Sequence, residues 1–182
     1  MNKRIAILAT DGFEESELKS PREAMEKEGF QTEIVSIKPD KIKAWSEGNW
    51  SEEYPVDKTI NQVSADDYHA LFLPGGVMNP DKLRANKDVQ DFVRSFFEQQ
   101  KPVAAICHGP WTLIDANVVN GRKMTSYHTL QKDLKNAGAN WVDEEVVVDE
   151  GLVTSRSPED LPAFNKKLIE EIKEGKHTEQ HA

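Results

Sequence analysis

At 182 residues, with 30% charged and 37% hydrophobic side chains, the sequence is that of one globular domain with enough chain to bury a core. A net charge of −9 opposes a nucleic-acid or anionic-membrane ligand, since both call for a cationic surface. The single cysteine excludes an intramolecular disulfide framework and fits a reducing compartment.

In chain order, "KRIAILA" (3–9) is a short, nearly continuous apolar run, which predicts a strand buried on both faces. Basic residues precede it, but the run is too brief for a secretory signal and no small-residue cleavage site follows. No other run approaches the ~18 apolar residues of a membrane span. A cytoplasmic protein is expected. The next loop, "TDGFEESEL", carries the carboxylates Glu14, Glu15 and Glu17. "SPREAM" then reads as a helix start, with Ser20 and Glu23 as a capping box and Pro21 at the first helical position.

"TEIVSI" (32–37), "HALFLP" (69–74) and "PVAAI" (102–106) repeat the strand signature. Segment 38–63 breaks the rhythm, and its β-branched and aromatic residues around "EGN" predict a hairpin excursion. Trp45, Trp50 and Tyr54 belong there either against the domain or in a subunit contact. Val89, Phe92, Val93, Phe96 and Phe97 form one helical stripe. The last helix repeats it with Leu161, Phe164, Leu168, Ile169 and Ile172, starting after Ser157 with Pro158 at its first position. The domain is expected over 1–174, and "GKHTEQHA" (175–182), lacking an apolar anchor, reads as a flexible tail. His177 and His181 in that tail make a poor metal site, and no metal or cofactor is expected elsewhere.

Strands alternating with helices imply a mostly parallel sheet with helices on both faces, whose ligand site lies beyond the carboxyl ends of the strands. Cys107 falls there, between "PVAAI" and a helix that starts near Pro110. Ala105 and Gly109, two residues to either side, give the small-x-nucleophile-x-Gly spacing of a nucleophile elbow. A lone cysteine is more often an inert buried residue. The elbow, the adjacent His108 and the Gly75–Gly76 pair reverse that reading. A helix N-terminus would lower the thiol pKa. His108 would exchange protons, and Gly75 and Gly76 would offer N–H groups to an oxyanion. A glutamate of the acidic loop beside the thiolate would be expected to hold its proton.

The blocks "ILATDGFEESEL", "LFLPGG", "PVAAICHGPW", "GRKMTSYHTLQKDLKNAGANWVDEEVVVD" and "LVTSRSPEDLPAF" together resemble the DJ-1/PfpI superfamily, in its PfpI branch of intracellular cysteine proteases and general stress proteins. The resemblance implies a single-domain, flavodoxin-like α/β sandwich of the class I glutamine amidotransferase type. In it a mostly parallel central sheet carries helices on both faces and a strand–nucleophile elbow–helix. It implies Cys107 as nucleophile, His108 as its partner, and Glu17 as the glutamate that hydrogen-bonds the sulfur, with Glu14 a second carboxylate nearby. Gly75 and Gly76 match the oxyanion-side glycines, and Asp81 is the candidate third member of a triad, supplied by a neighbouring subunit. His128 and Arg156 fall in blocks near the site or its interface. A homodimer or hexamer and a small carbonyl or peptide substrate follow from the same resemblance.

The function expected is a stress-protective cysteine hydrolase, peptidase-like or acting on reactive carbonyls as a glutathione-independent glyoxalase or deglycase. The alternative is a redox sensor or chaperone that uses an oxidisable Cys107. With no second cysteine, such a sensor would need an outside thiol to be reversible.

Overall fold

The computed structural model describes residues 2–182. Its elements are β1 (Arg4–Leu8), β2 (Phe13–Glu14), α1 (Glu15–Lys27), β3 (Gln31–Ser36), β4 (Lys41–Ser46), β5 (Asn49–Pro55), β6 (Lys58–Thr59), β7 (Ala70–Leu73), α2 (Met78–Arg84) and α3 (Lys87–Glu98). They continue with β8 (Val103–Ile106), α4 (Pro110–Asp115), β9 (Lys123–Met124), α5 (Gln131–Asn136), β10 (Asn140–Trp141), β11 (Val147–Asp149), β12 (Leu152–Ser155) and α6 (Leu161–Glu174).

Among the described residues, the central sheet has seven strands in the order β11-β12-β8-β7-β1-β3-β6. Within it, only β11 runs antiparallel to its neighbour. The four apolar runs predicted as strands become β1, β3, β7 and β8, and β1, β7 and β8 stand side by side in the sheet's middle. Side-chain alternation explains why the middle three runs are almost wholly apolar. Ile5 and Ile7 pack with Leu18, Met25, Phe164 and Leu168 from α1 and α6. Ala6 and Leu8 pack on the other face with Leu83, Phe96, Leu113 and Leu134 from α2 to α5. Strands β1, β7 and β8 therefore have two dry sides, whereas β3 is dry only from Ile34 onward.

The excursion forms as expected. Strands β4 and β5 pair antiparallel, with Trp45 opposite Trp50. Their rings meet edge to face at 5.3 Å. Parallel pairing of β2 with β4 ties this hairpin to the start of α1.

Helix α1 differs from its predicted start. It begins at Glu15, so Pro21 lies inside it and the Ser20–Glu23 pair caps nothing. Ser20 Oγ instead accepts a hydrogen bond from Asn165 Nδ2 at 2.9 Å. The acidic loop is thus mostly helix. Likewise Pro158–Asp160 is a separate 3₁₀ turn, and α6 proper starts at Leu161. After α6, the segment read as a tail lies along the domain, where His177 N–H donates to Gln100 O at 2.9 Å and Gln180 is buried.

Candidate active site

Cys107 sits where β8 ends. Its N–H still bonds Ser155 O on β12 at 3.1 Å, as though the strand continued, but its φ is +62°. A left-handed conformation is unfavourable for a residue with a Cβ and persists where the surroundings enforce it. Here the enforcement is visible: Tyr127 N–H donates to Cys107 O at 2.9 Å, and Gly109 N–H turns back to Ile106 O at 2.9 Å. Only glycine fits at 109, because a Cβ there would stand 2.7 Å from Leu73 O and 3.0 Å from Ile106 O. The predicted elbow is present in every local detail.

Around the sulfur, the structure brings together residues from three strand ends. His108 Nδ1 lies 3.2 Å from Cys107 Sγ. Glu17, from the first turn of α1, is completely buried. Pro21, four residues on, has no N–H to give the Glu17 carbonyl, which therefore lacks its usual helical partner. The Glu17 carboxyl lies beside the Cys107 thiol and the N–H groups of Gly75 and Gly76. None of these is aligned well enough to count as a partner of either oxygen. Gly75 makes this closeness possible, since a Cβ there would stand 2.3 Å from Glu17 Oε1 and 2.7 Å from Cys107 Cβ. Asn79, fully buried on α2, pins the glycine pair: its Nδ2 donates to Pro74 O (3.0 Å) and Gly75 O (3.1 Å), and its Oδ1 accepts from Thr10 N–H (2.7 Å).

Burial, reinforced by the charge of Glu14, raises the Glu17 pKa to about 8, so the carboxyl holds its proton at neutral pH. Glu14, partly exposed, is itself raised by burial and by Glu15. The imidazole of His108 is pushed down to about 4 by burial and by the neighbouring His128, so the ring is neutral at pH 7. The thiol does not follow the expectation of a helix-lowered pKa. Burial, followed by the charge of Glu17, pushes it up, against the pull of the Gly76 and His108 amides. Helix α4 spans only six residues, a weak dipole against that desolvation. The repulsion from Glu17 acts only when Glu17 is ionised, so a protonated Glu17 lets the thiolate form more easily.

A cavity of about 560 Å³ opens over the sulfur, lined among others by Glu14, Glu17, Trp45, Gly76, Met78 and Tyr127. Trp45 belongs to the hairpin, so the excursion supplies a wall of the site; the sequence offered packing or a subunit contact and missed this. Tyr127, which stacks on His108 at 4.8 Å with a 27° tilt, had no sequence signal beyond its place in a family block. Trp111 meets the same ring edge-on at 5.0 Å. Asp81 is exposed on α2 and does not line the cavity. Arg156 is engaged with Asp160 and Asp143, and His128 is exposed, its part here being its charge on His108.

A parallel α/β sheet with a strained cysteine elbow at its carboxyl end defines a class of cysteine-bearing α/β proteins. A sequence model of the DJ-1/PfpI family matches residues 3–171. The chain is 45% identical to protein/nucleic acid deglycase 2 of Escherichia coli (strain K12), over 93% of this chain and 97% of that one. It is 42% identical to general stress protein 18 of Bacillus subtilis (strain 168), again over 93% and 97%. It is also 44% identical to YraA of the same organism, whose name proposes a cysteine protease, over 95% and 100%. Among solved structures, Drosophila melanogaster DJ-1beta superposes with a TM-score of 0.85 at 26% identity, over 96% of this chain and 91% of that one. The two-domain DJ-1/ThiJ/PfpI-like and ferritin-like protein of Anabaena variabilis reaches 0.89 at 34% identity over 94% of this chain, which spans 48% of that longer one. The chain belongs to the DJ-1/PfpI family.

Proposed function

We propose that the chain is a stress-protective enzyme in which Cys107 adds to reactive carbonyls, converting 2-oxoaldehydes to 2-hydroxy acids without glutathione and, by the same addition, acting on glycated groups. The observation that carries this reading is the protonation pattern around Cys107: a protonated Glu17 and a neutral His108 flank one thiol in a small cavity. In the proposed sequence, the sulfur bonds to the aldehyde carbon while His108 Nδ1, 3.2 Å from it, relays the thiol proton to the carbonyl oxygen without keeping it, giving a hemithioacetal. The Gly76 amide and the Glu17 hydroxyl face the developing oxyanion. His108 or Glu17 then moves the hydrogen of carbon 1, as a proton, by way of an enediol to carbon 2. The product of this internal redox is a thioester of the hydroxy acid. Water hydrolyses it, the thiol is regenerated, and the net reaction is aldehyde plus water to hydroxy acid.

Amide hydrolysis demands an acid for the leaving amine, and His108, pushed down to about 4, is poorly suited to hold that proton. This favours carbonyl chemistry over the peptidase reading, as do the name of the Escherichia coli relative and the size of the cavity. The stress role is supported by the name of the Bacillus subtilis relative. In this reading the protein works as a homodimer or hexamer, and Asp81, exposed in the single chain, reaches His108 of a neighbouring copy.

The test is lactate formation from methylglyoxal in the absence of glutathione, for wild type, Cys107→Ala and His108→Ala. Turnover lost in both variants supports the reading. Wild type that makes no lactate and does not deglycate refutes it and leaves the sensor, and loss in Cys107→Ala alone would remove His108 from the proposed mechanism.

A further inference from the structure

The sequence pairs His177 with His181, and the structure pairs it with something else. Glu171, Glu174 and His177 present one carboxylate or imidazole atom each, all within 4.8 Å of one another. His177 Nε2 lies 3.0 Å from Glu171 Oε2 and 3.9 Å from Glu174 Oε2. Despite the first distance, neither Glu171 Oε2 nor His177 Nε2 makes a hydrogen bond among the described residues, because the imidazole N–H direction does not run to the oxygen. The side chain of Glu171 is only 9% exposed, so an acceptor has been withdrawn from water and left without a donor. Such a group calls for a partner on the shared side of the two atoms.

From these contacts we propose that Glu171, Glu174 and His177 form a binding site for a borderline divalent cation of the zinc type. Tetrahedral ligands at ~2.0–2.1 Å stand about 3.3–3.4 Å apart, and the two distances to His177 bracket that spacing. One imidazole and two carboxylates select zinc-like ions over calcium and magnesium, which take oxygen ligands. The fourth position falls to water.

The surroundings hold the ligands in place. Glu171 and Glu174 share one face of α6, three residues apart. Gly175, at φ +86°, turns the chain out of the helix, and its N–H bonds Glu171 O at 3.0 Å. His177 is fixed by its own N–H on Gln100 O at 2.9 Å and by Gln180 N–H on its carbonyl at 2.9 Å. Its ring lies on Gly151, where a Cβ would stand 2.9 Å from His177 Cδ2. The carbonyl end of a helix also favours a cation. The site is remote from Cys107: Pro158, in the turn before α6, lines the cavity, and Glu171 and Glu174 lie ~15–20 Å beyond the helix start at Leu161 along its axis. Its action is therefore structural, a clasp between α6 and residues 175–182.

The test is zinc titration of the full chain by calorimetry, with Cys107→Ser as the background so that the thiol does not compete. Binding of one zinc per chain is expected in that background. Glu174→Gln should weaken it about tenfold or more. Because Glu174 is exposed, this variant leaves folding intact. His177→Ala should abolish binding and with it the zinc-dependent rise in melting temperature. The proposal is overturned if Cys107→Ser binds no zinc up to the solubility of the metal at neutral pH. It is equally overturned if binding survives both Glu174→Gln and His177→Ala unchanged.

Discussion

Helix α3 begins at a capped end, with Val89 N–H donating to Asn86 Oδ1 at 3.1 Å, and every residue of its stripe is buried. Helix α1 begins after Glu14, whose side chain caps nothing, and the first residue it buries completely is the carboxylic acid Glu17. In α3, local preference, pattern and packing agree. In α1, a missing cap, a buried acid without an aligned partner and an internal proline fall within the first two turns, and Glu17 there lies beside Cys107, itself held at positive φ. Conflicts of this kind destabilise a fold, and they are concentrated at the end of the sheet where the proposed chemistry is placed.

If that division holds, damage to α3 changes stability and leaves chemistry alone. Phe96→Ala, which empties a fully buried position between Phe92 and the sheet, should lose about 3–5 kcal/mol in urea unfolding. The folded fraction should keep the wild-type kcat/KM for methylglyoxal. A large change in kcat/KM would break the comparison. The reverse case is Gly75→Ala, where the new methyl must displace Glu17 Oε1 or Cys107 Cβ. Misplacing reacting groups by ~1 Å costs on the order of 100-fold in rate, so kcat/KM should fall by about that factor or more. Wild-type activity in a folded Gly75→Ala variant would separate the glycine pair from the chemistry.

The same division decides how far the sequence could be read. The stripes of α3 and α6 and the runs of β1, β3, β7 and β8 were legible because burial on a regular element writes a period into the chain. The elbow was legible because it needs small residues at fixed offsets from Cys107. The start of α1 was not: Ser20, Pro21 and Glu23 imitate a cap, and tertiary packing carries the first helical position six residues further back, from Pro21 to Glu15. Trp45 and Tyr127 reach the cavity through contacts distant in sequence, and no local pattern announces such contacts. The rise in the thiol pKa was missed for a related reason. A helix N-terminus is visible in sequence, whereas the depth of burial that outweighs it is not.

Glu17 gives the comparison a pH axis. Its folded-state pKa, about 8, lies above the ordinary 4.5, so the folded protein holds a proton that the unfolded chain releases. The stabilisation is fully present below about pH 4.5 and is lost progressively as pH rises to about 8. Each tenfold difference in proton affinity between the two states is worth ~1.4 kcal/mol. With allowance for relaxation around the charge, the loss between pH 5 and 8 should be about 2–3 kcal/mol. Glu17→Gln should remove it, flattening urea midpoints over that range. An equal slope in wild type and Glu17→Gln would mean that Glu17 ionises freely, and the protonation pattern proposed for catalysis would fall with it. In wild type, kcat/KM should decline above about pH 8 as Glu17 ionises and below about pH 4 as His108 charges.

The smallest effect is the most direct exchange between the two helices. Asn86→Ala removes the cap of α3 and should cost about 1 kcal/mol with no change in kcat/KM. Glu14→Asn supplies the missing cap to α1, whose Glu14 backbone already has the extended conformation of a capping residue, at φ −67° and ψ 118°. It should gain a similar ~1 kcal/mol. The gain should carry a functional loss, because Glu14 lines the cavity and its charge helps hold the proton on Glu17. Without that charge the Glu17 pKa falls, and the alkaline limb of the kcat/KM profile should move to lower pH. A variant that is more stable and keeps the wild-type profile would show that α1 is uncapped for no catalytic reason. A variant that gains stability as its alkaline limb shifts would tie the missing cap to the proton on Glu17.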